Sequence, residues 1–346
     1  MLHLVTPVLS VAMSVYNGDR FLPEAIASVL EQSFTDFEFL ILDDGSSDGT
    51  RFIIEDYARR DTRIQPIFRE NRGLVASLNQ LLGQARAAIV ARMDADDICL
   101  PERFAKQVAF LNENADYGVV GSWVSDIDDQ DQLWPHQVPP LPTTHEEIIA
   151  AIDSSDPLFC HPSVMYRRDI VHNVGNYSNA FPHCEDLDLW LRLASETRMA
   201  NLPEKLLRYR RHSFQVSNLH ATLQHTGAAI ARLAYQERKE GRADPTADLN
   251  VPPQIEDLDT LFGCVGIARK VRNSLALSLQ YSRVSLRDQG FEVILRHLRD
   301  GGEHRGLWRT VARLLRMGEP RRALRLASTL ALTRVLSEND VTAGRL

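Results

Sequence analysis

Residues 8–15 form a short apolar run, suited to a strand covered on both faces. From Asp19 the period changes: Phe21, Ala25, Ile26, Val29 and Leu30 recur at helical spacing, and Pro23 is tolerated in the first turn. Residues 37–42 predict a second strand, cut off by Asp43-Asp44-Gly45. Ser47 or Asp48 is placed to cap a helix carrying Phe52, Ile53, Tyr57 and Ala58. The alternation continues with a strand at 64–68, a helix at 74–82 and a strand at 87–93. Pro101 opens a further helix with Phe104, Val108 and Leu111, and residues 117–124 read as a fifth strand. Repeated βα units with short links imply an α/β fold with a mostly parallel central sheet and helices on both faces. Ligands of such sheets bind at the carboxyl ends of the strands. Polar clusters fall there: Tyr16-Asn17, Asp43-Asp44, and Asp94-Ala95-Asp96-Asp97.

After residue 125 the pattern loosens. Residues 134–142 read as a proline-rich loop. Thr143 with Glu146 has the spacing of a capping box, opening a helix to residue 152. Residues 159–166 suggest a strand, 187–193 a helix and 206–211 a short strand. Gly, Asp, Asn and Pro concentrate in 241–254, which predicts a linker. Beyond it the chain reads helical. The expected division is a domain at 1–240, a linker at 241–257 and a basic α-helical region at 258–346. That last region holds fifteen Lys and Arg against five Asp and Glu over 262–336.

The whole chain has 39 basic and 46 acidic residues, a net charge of −7, which argues against a nucleic-acid binder. Its four cysteines form no Cys-x-x-Cys pair, and the first residues lack a leader-like basic and apolar pattern. These features predict a reduced, cytoplasmic protein with free thiols. No run of 18 apolar residues occurs, so no transmembrane helix is expected.

Asp94, Asp96 and Asp97 put three carboxylates at the end of a buried strand. Such charges are stable together only when a cation or strong donors offset them, and oxygen ligands suit Mg²⁺ or Mn²⁺. The bland alternative is a solvated acidic turn. Asp43-Asp44 can accept hydrogen bonds from a base or ribose at the sheet edge, although Asp-Gly and Ser-Ser-Asp runs are also ordinary turn chemistry. Glu185-Asp186, read alone, is a helix N-terminus favoured by the dipole.

In order and approximate spacing, 10–17, 42–50, Asn71-Arg72-Gly73-Leu74, 91–97 with Pro101-Glu102-Arg103, and 184–190 resemble the family 2 glycosyltransferases over residues 8–215. The resemblance implies a GT-A nucleotide-binding sandwich followed here by a C-terminal helical extension. It also implies inverting transfer from a nucleotide-sugar donor, with UDP favoured, in surface polysaccharide or glycolipid synthesis. Residue by residue, Ser14 and Tyr16 line the nucleobase and Asp44 hydrogen-bonds it. Asp94 and Asp96 are the acids of the Asp-x-Asp motif; Asp94 is assigned to both nucleotide and metal, and Asp96 is the first choice for direct metal ligand. His212 falls near the diphosphate as a metal or phosphate contact, and Asp186 matches the catalytic base. His161 is a candidate for facing the acceptor, a saccharide or a lipid-linked one. Gly18-Asp19 stands where the family often has a basic residue, leaving Arg72, Arg92 and Arg103 as substitutes. The basic C-terminal helices are candidates for peripheral membrane contact or for a homodimer interface. The rival readings are a catalytically inactive sugar-nucleotide-binding or scaffold protein and, on Asp94-x-Asp96 alone, an aspartyl phosphatase. A nicotinamide dehydrogenase is excluded, because no Gly-x-Gly-x-x-Gly follows the first strand.

Overall fold

The computed structural model describes residues 6–136, 139–212 and 220–343, with side chains to Thr333. Gln137 and Val138 of the proline-rich loop, and Met1 to Val5, lie outside the described residues. The chain divides into two compact units, Met1–Asn179 with Glu185–Ser213, and Ala180–Cys184 with Phe214–Leu346.

The first unit is built on an eight-stranded sheet in the order β3-β2-β1-β4-β7-β6-β8-β5. Its first half is regular: β1 (Leu9–Val15), α1 (Leu22–Leu30), β2 (Phe37–Asp43), α2 (Thr50–Arg60), β3 (Ile64–Phe68), α3 (Leu74–Gln84) and β4 (Ile89–Asp94). These four strands are parallel, with Ser14 opposite both Leu42 and Asp94. Both faces are covered, so β1 and β2 are apolar and buried almost throughout, as parallel strands require. The core runs from Val11, Met13, Phe39 and Ile41 on the strands to Ile26, Val29 and Phe104 on the helices.

The second half is mixed: β5 (Ile98–Cys99), α4 (Arg103–Glu113), β6 (Tyr117–Ile127), α5 (His145–Ser154), β7 (Met165–Arg167), α6 (Arg168–Asn173), α7 (Glu185–Leu193) and β8 (Arg198–Arg210). Several details differ from the sequence reading. The capping box is Thr144 with Glu147, one residue later than expected. The strand expected at 159–166 shrinks to the three residues of β7, preceded by a 3₁₀ turn at His161–Ser163. Pro162 explains this, since it has no N–H for a ladder. The last strand begins at Arg198 rather than 206; Pro203 and the exposed Glu204 masked its start, and its register to β6 shifts near Trp123. Strand β5 is too short to leave a sequence pattern.

The second unit contains α8 (Ala221–Lys239), a 3₁₀ turn at Ile255–Asp257, α9 (Leu258–Leu261), α10 (Ile267–Leu279), α11 (Gly290–Arg299), α12 (Leu307–Arg316) and α13 (Pro320–Ala343). Leu275, Leu279, Phe291, Leu295 and Leu298 form its apolar interior, and α12 packs on α13 around Leu314, Leu326 and Leu330. No helix among the described residues is long and apolar enough to cross a membrane.

Candidate active site

The site lies at the carboxyl ends of β1, β2 and β4. Asp44 follows β2 and is 3 % exposed. Its carboxylate accepts hydrogen bonds from Arg69 Nε at 2.8 Å, Arg72 N at 3.0 Å and Gly73 N at 2.8 Å. Arg69, which the sequence reading passed over, also reaches Ser77 and Gln80, so Asp44 anchors the 69–73 loop at the sheet edge. Gly45 makes this turn possible: its φ is +80°, and a Cβ there would sit 2.7 Å from Asn71 N. On the other side, Asn17 Oδ1 accepts from Ser47 N at 2.8 Å and Gly18 N donates to Thr50 Oγ1 at 2.9 Å. The loops after β1 and β2 are thereby laced together. Tyr16, 56 % exposed, follows β1 at their edge, and Ser14, near the end of β1, is half-buried.

Beside these loops, Asp94 closes β4. One ligand atom from each of Asp94, Asp96 and Asp97 falls within 4.8 Å of the others. Burial and mutual repulsion push the Asp94 carboxyl up and the Asp97 carboxyl well above its ordinary range. Asp97 Oδ1 accepts from Arg210 N at 2.8 Å, whereas its buried Oδ2 has no hydrogen-bond partner among the described residues. Three convergent hard-oxygen groups, one with an orphaned buried oxygen, fit a divalent cation. His212 stands outside this trio, with Nε2 2.9 Å from Asp96 Oδ2. The loop is held from below by Arg210, 1 % exposed, whose Nε donates to the Asp96 carbonyl at 2.7 Å and whose guanidinium lies over Phe21. In an Arg-Tyr-Arg-Arg-His run, nothing in the sequence singles out this arginine.

Asp186 lies in the first turn of α7, and its Oδ1 accepts from Leu187 N at 2.7 Å. Burial raises its carboxyl; the Arg92 guanidinium opposes that shift, while the Asp94 charge adds to it. The fold therefore brings Asp186 within electrostatic range of the acidic cluster, 92 residues away in sequence. Arg92 is the link: buried in β4, it forms an ion pair with Asp94. Arg103, proposed from sequence as a phosphate contact, is fully buried and donates to the Arg92 carbonyl at 2.8 Å, so it serves the core instead. Arg72 is exposed. His161 Nε2 lies 3.0 Å from the Tyr177 hydroxyl, and burial together with Arg92 holds its imidazole neutral. Trp190 is 1 % exposed and packs on Phe159, which makes it a core residue.

The model of glycosyl transferase family 2 matches residues 10–175. EpsE of Bacillus subtilis, named as a glycosyltransferase, is 36% identical over 212 residues, covering 60% of this chain and 74% of EpsE. The chain belongs to glycosyl transferase family 2. Within that family, the O-antigen biosynthesis glycosyltransferase WbnJ of Escherichia coli is 32% identical over 216 residues, covering 60% of this chain and 82% of WbnJ. Among solved structures, S. aureus TarS 1–349 in complex with UDP superposes with a TM-score of 0.56 at 17% identity, covering 97% of this chain and 91% of TarS 1–349. A mannosyltransferase of Pyrobaculum calidifontis, with GDP-Man and Mn²⁺, gives 0.50 at 16% identity, over 95% and 88% of the two chains. These two likenesses show the GT-A type of fold. This family 2 chain is an enzyme, a glycosyltransferase related to those of polysaccharide biosynthesis.

Proposed function

We propose that the protein is an inverting glycosyltransferase that moves a hexosyl group from a nucleoside diphosphate sugar, UDP-linked by preference, to an acceptor hydroxyl. The observation that carries this reading is the convergence of Asp94, Asp96 and Asp97 at the ligand edge of the sheet, with Asp186 near enough to feel the Asp94 charge. Tyr16 offers an exposed ring face for the base, with Ser14 beside it. Asp44 fixes the 69–73 loop at the sheet edge and is the carboxylate that would meet the base. Asp94, Asp96 and Asp97 would hold Mg²⁺ or Mn²⁺, with His212 against Asp96 at its edge as a further metal or phosphate contact. When bound, such an ion neutralises the diphosphate and assists its departure. Asp186 accepts the proton of the attacking hydroxyl, and its raised carboxyl places it nearer the working pH of a general base. Attack from the face opposite the diphosphate inverts the anomeric carbon. The names of the relatives support a saccharide or lipid-linked acceptor: WbnJ serves O-antigen biosynthesis, and an Escherichia coli relative at 31% identity is a β-1,3-galactosyltransferase acting on α-D-GlcNAc-diphosphoundecaprenol.

Donor hydrolysis and transfer, assayed with UDP-, GDP- and dTDP-sugars with Mn²⁺ or EDTA, test this reading. Turnover is expected with Mn²⁺ and a UDP-sugar, and Asp96→Ala should abolish it. Full turnover in EDTA would remove the metal from the mechanism, and a product of retained configuration would remove the role given to Asp186.

A further inference from the structure

The outer face of α12 is apolar and basic at once. Leu307, Thr310 and Leu314 are buried against the second unit. Trp308 and Leu315 turn outward instead, 54 % and 57 % exposed. At 3.6 residues per turn, Leu315, Trp308, Ala312, Arg316 and Arg309 occupy one outward sector of about 120°, with the apolar pair along one edge and the arginines along the other. Arg313 borders that sector and lies over the exposed ring of Tyr281. Helix α13 adds exposed Leu324 and Leu332. Arg305, Arg309, Arg316 and Arg321 are exposed and make no ion pair among the described residues.

The charge is concentrated rather than general. Over 262–336 there are fifteen Lys and Arg against five Asp and Glu, whereas the whole chain is acidic, at 39 against 46. An arginine-rich face that also exposes tryptophan and leucine fits a surface with anionic phosphates above an apolar layer. Indole rings settle at the headgroup level, leucines reach the acyl boundary, and arginines bind lipid phosphates. A second copy of the same face would bring like charges together. Nucleic acid would satisfy the arginines but leave the leucines without a partner.

We infer that the outward face of α12, extended by α13, is a docking surface for an anionic lipid bilayer. The inference does not depend on which sugar is transferred. Co-sedimentation of the full chain with phosphatidylcholine vesicles, with and without phosphatidylglycerol, tests it. The protein should pellet only with the anionic vesicles and be released by salt. Each arginine near such a surface contributes about fivefold, so Arg309→Gln with Arg316→Gln should weaken partitioning roughly 25-fold. Leu315→Ser should weaken it about tenfold. Donor hydrolysis by these variants should match wild type, which verifies folding. Arg309→Lys with Arg316→Lys should keep vesicle binding, because the attraction counts charge; loss in this pair would assign the arginines to structure instead. Equal binding to neutral vesicles, no binding at all, or variants that bind like wild type would overturn the inference. Duplex-DNA binding, or a concentration-dependent dimer, that the Gln variants abolish would assign the face to nucleic acid or to a second copy.

Discussion

Asp186 and Asp188 are two residues apart on α7 and have opposite fates. Asp186 sits at the helix start under the influence of Arg92, whereas Asp188 is 1 % exposed and bound by Arg192 Nη2 at 2.7 Å. Asp186→Asn should therefore leave UDP affinity nearly unchanged while turnover falls by about 10²–10⁴-fold, measured by calorimetry and steady-state kinetics. Asp188→Asn should act on stability. It breaks a buried pair, worth roughly 3–5 kcal/mol, and should lower the melting temperature while the folded fraction keeps its turnover. Asp44 combines both kinds of consequence, because the carboxylate proposed to meet the base also anchors Arg69 and the N–H groups of the 72–73 turn. Each hydrogen bond to a charged group is worth ~1.5–3 kcal/mol, so Asp44→Ala should raise donor KM more than it lowers kcat and also reduce thermal stability. Unchanged UDP affinity in a destabilised variant would leave Asp44 only its loop-holding task.

Regular βα units were legible because a strand buried on both faces writes a nearly continuous apolar run, as β1, β2 and β4 do, while edge strand β3, with Gln65 and Pro66 exposed, was legible from its place in the alternation. Departures came where backbone chemistry overruled hydrophobicity. Pro162 shortened one strand to β7, and Pro203 with Glu204 concealed the start of β8 at the sheet margin. The capping box slipped by one because both Thr143 and Thr144 have an acid three residues on; Thr144 has the extended backbone that lets its hydroxyl accept from Glu147 N. Thr144→Ala should cost about 0.5–2 kcal/mol by chemical denaturation, and Thr143→Ala less. The turn after β2 gives a sharper test. Gly45→Ala forces a Cβ into a left-handed position against the Asn71 amide, so a loss of roughly 1–3 kcal/mol with weaker UDP binding is expected.

For the whole molecule, the acidic cluster couples stability to pH and to cations. Asp94 and Asp97 are raised above their ordinary carboxylate values by burial and repulsion. Between the unfolded range and those raised values the native chain holds more protons than the unfolded one, so their contribution to stability falls as pH rises. In EDTA, the melting temperature should rise as pH drops from neutrality toward the ordinary carboxylate range; Mn²⁺ should raise it at neutral pH and flatten the trend. A scan that is flat in EDTA and unmoved by Mn²⁺ would break the link. The order of βα units, the carboxylates at strand ends and the family motifs were all readable along the chain, because period, turn chemistry and motif spacing are local or collinear properties. The partners of those residues were not readable. Arg92 reaching Asp94 and acting on Asp186, Arg210 beneath the acidic loop, Arg69 on Asp44 and Arg103 withdrawn into the core are choices among many arginines. Packing makes those choices, since a buried guanidinium must find its acceptors across strands that only the folded sheet brings side by side.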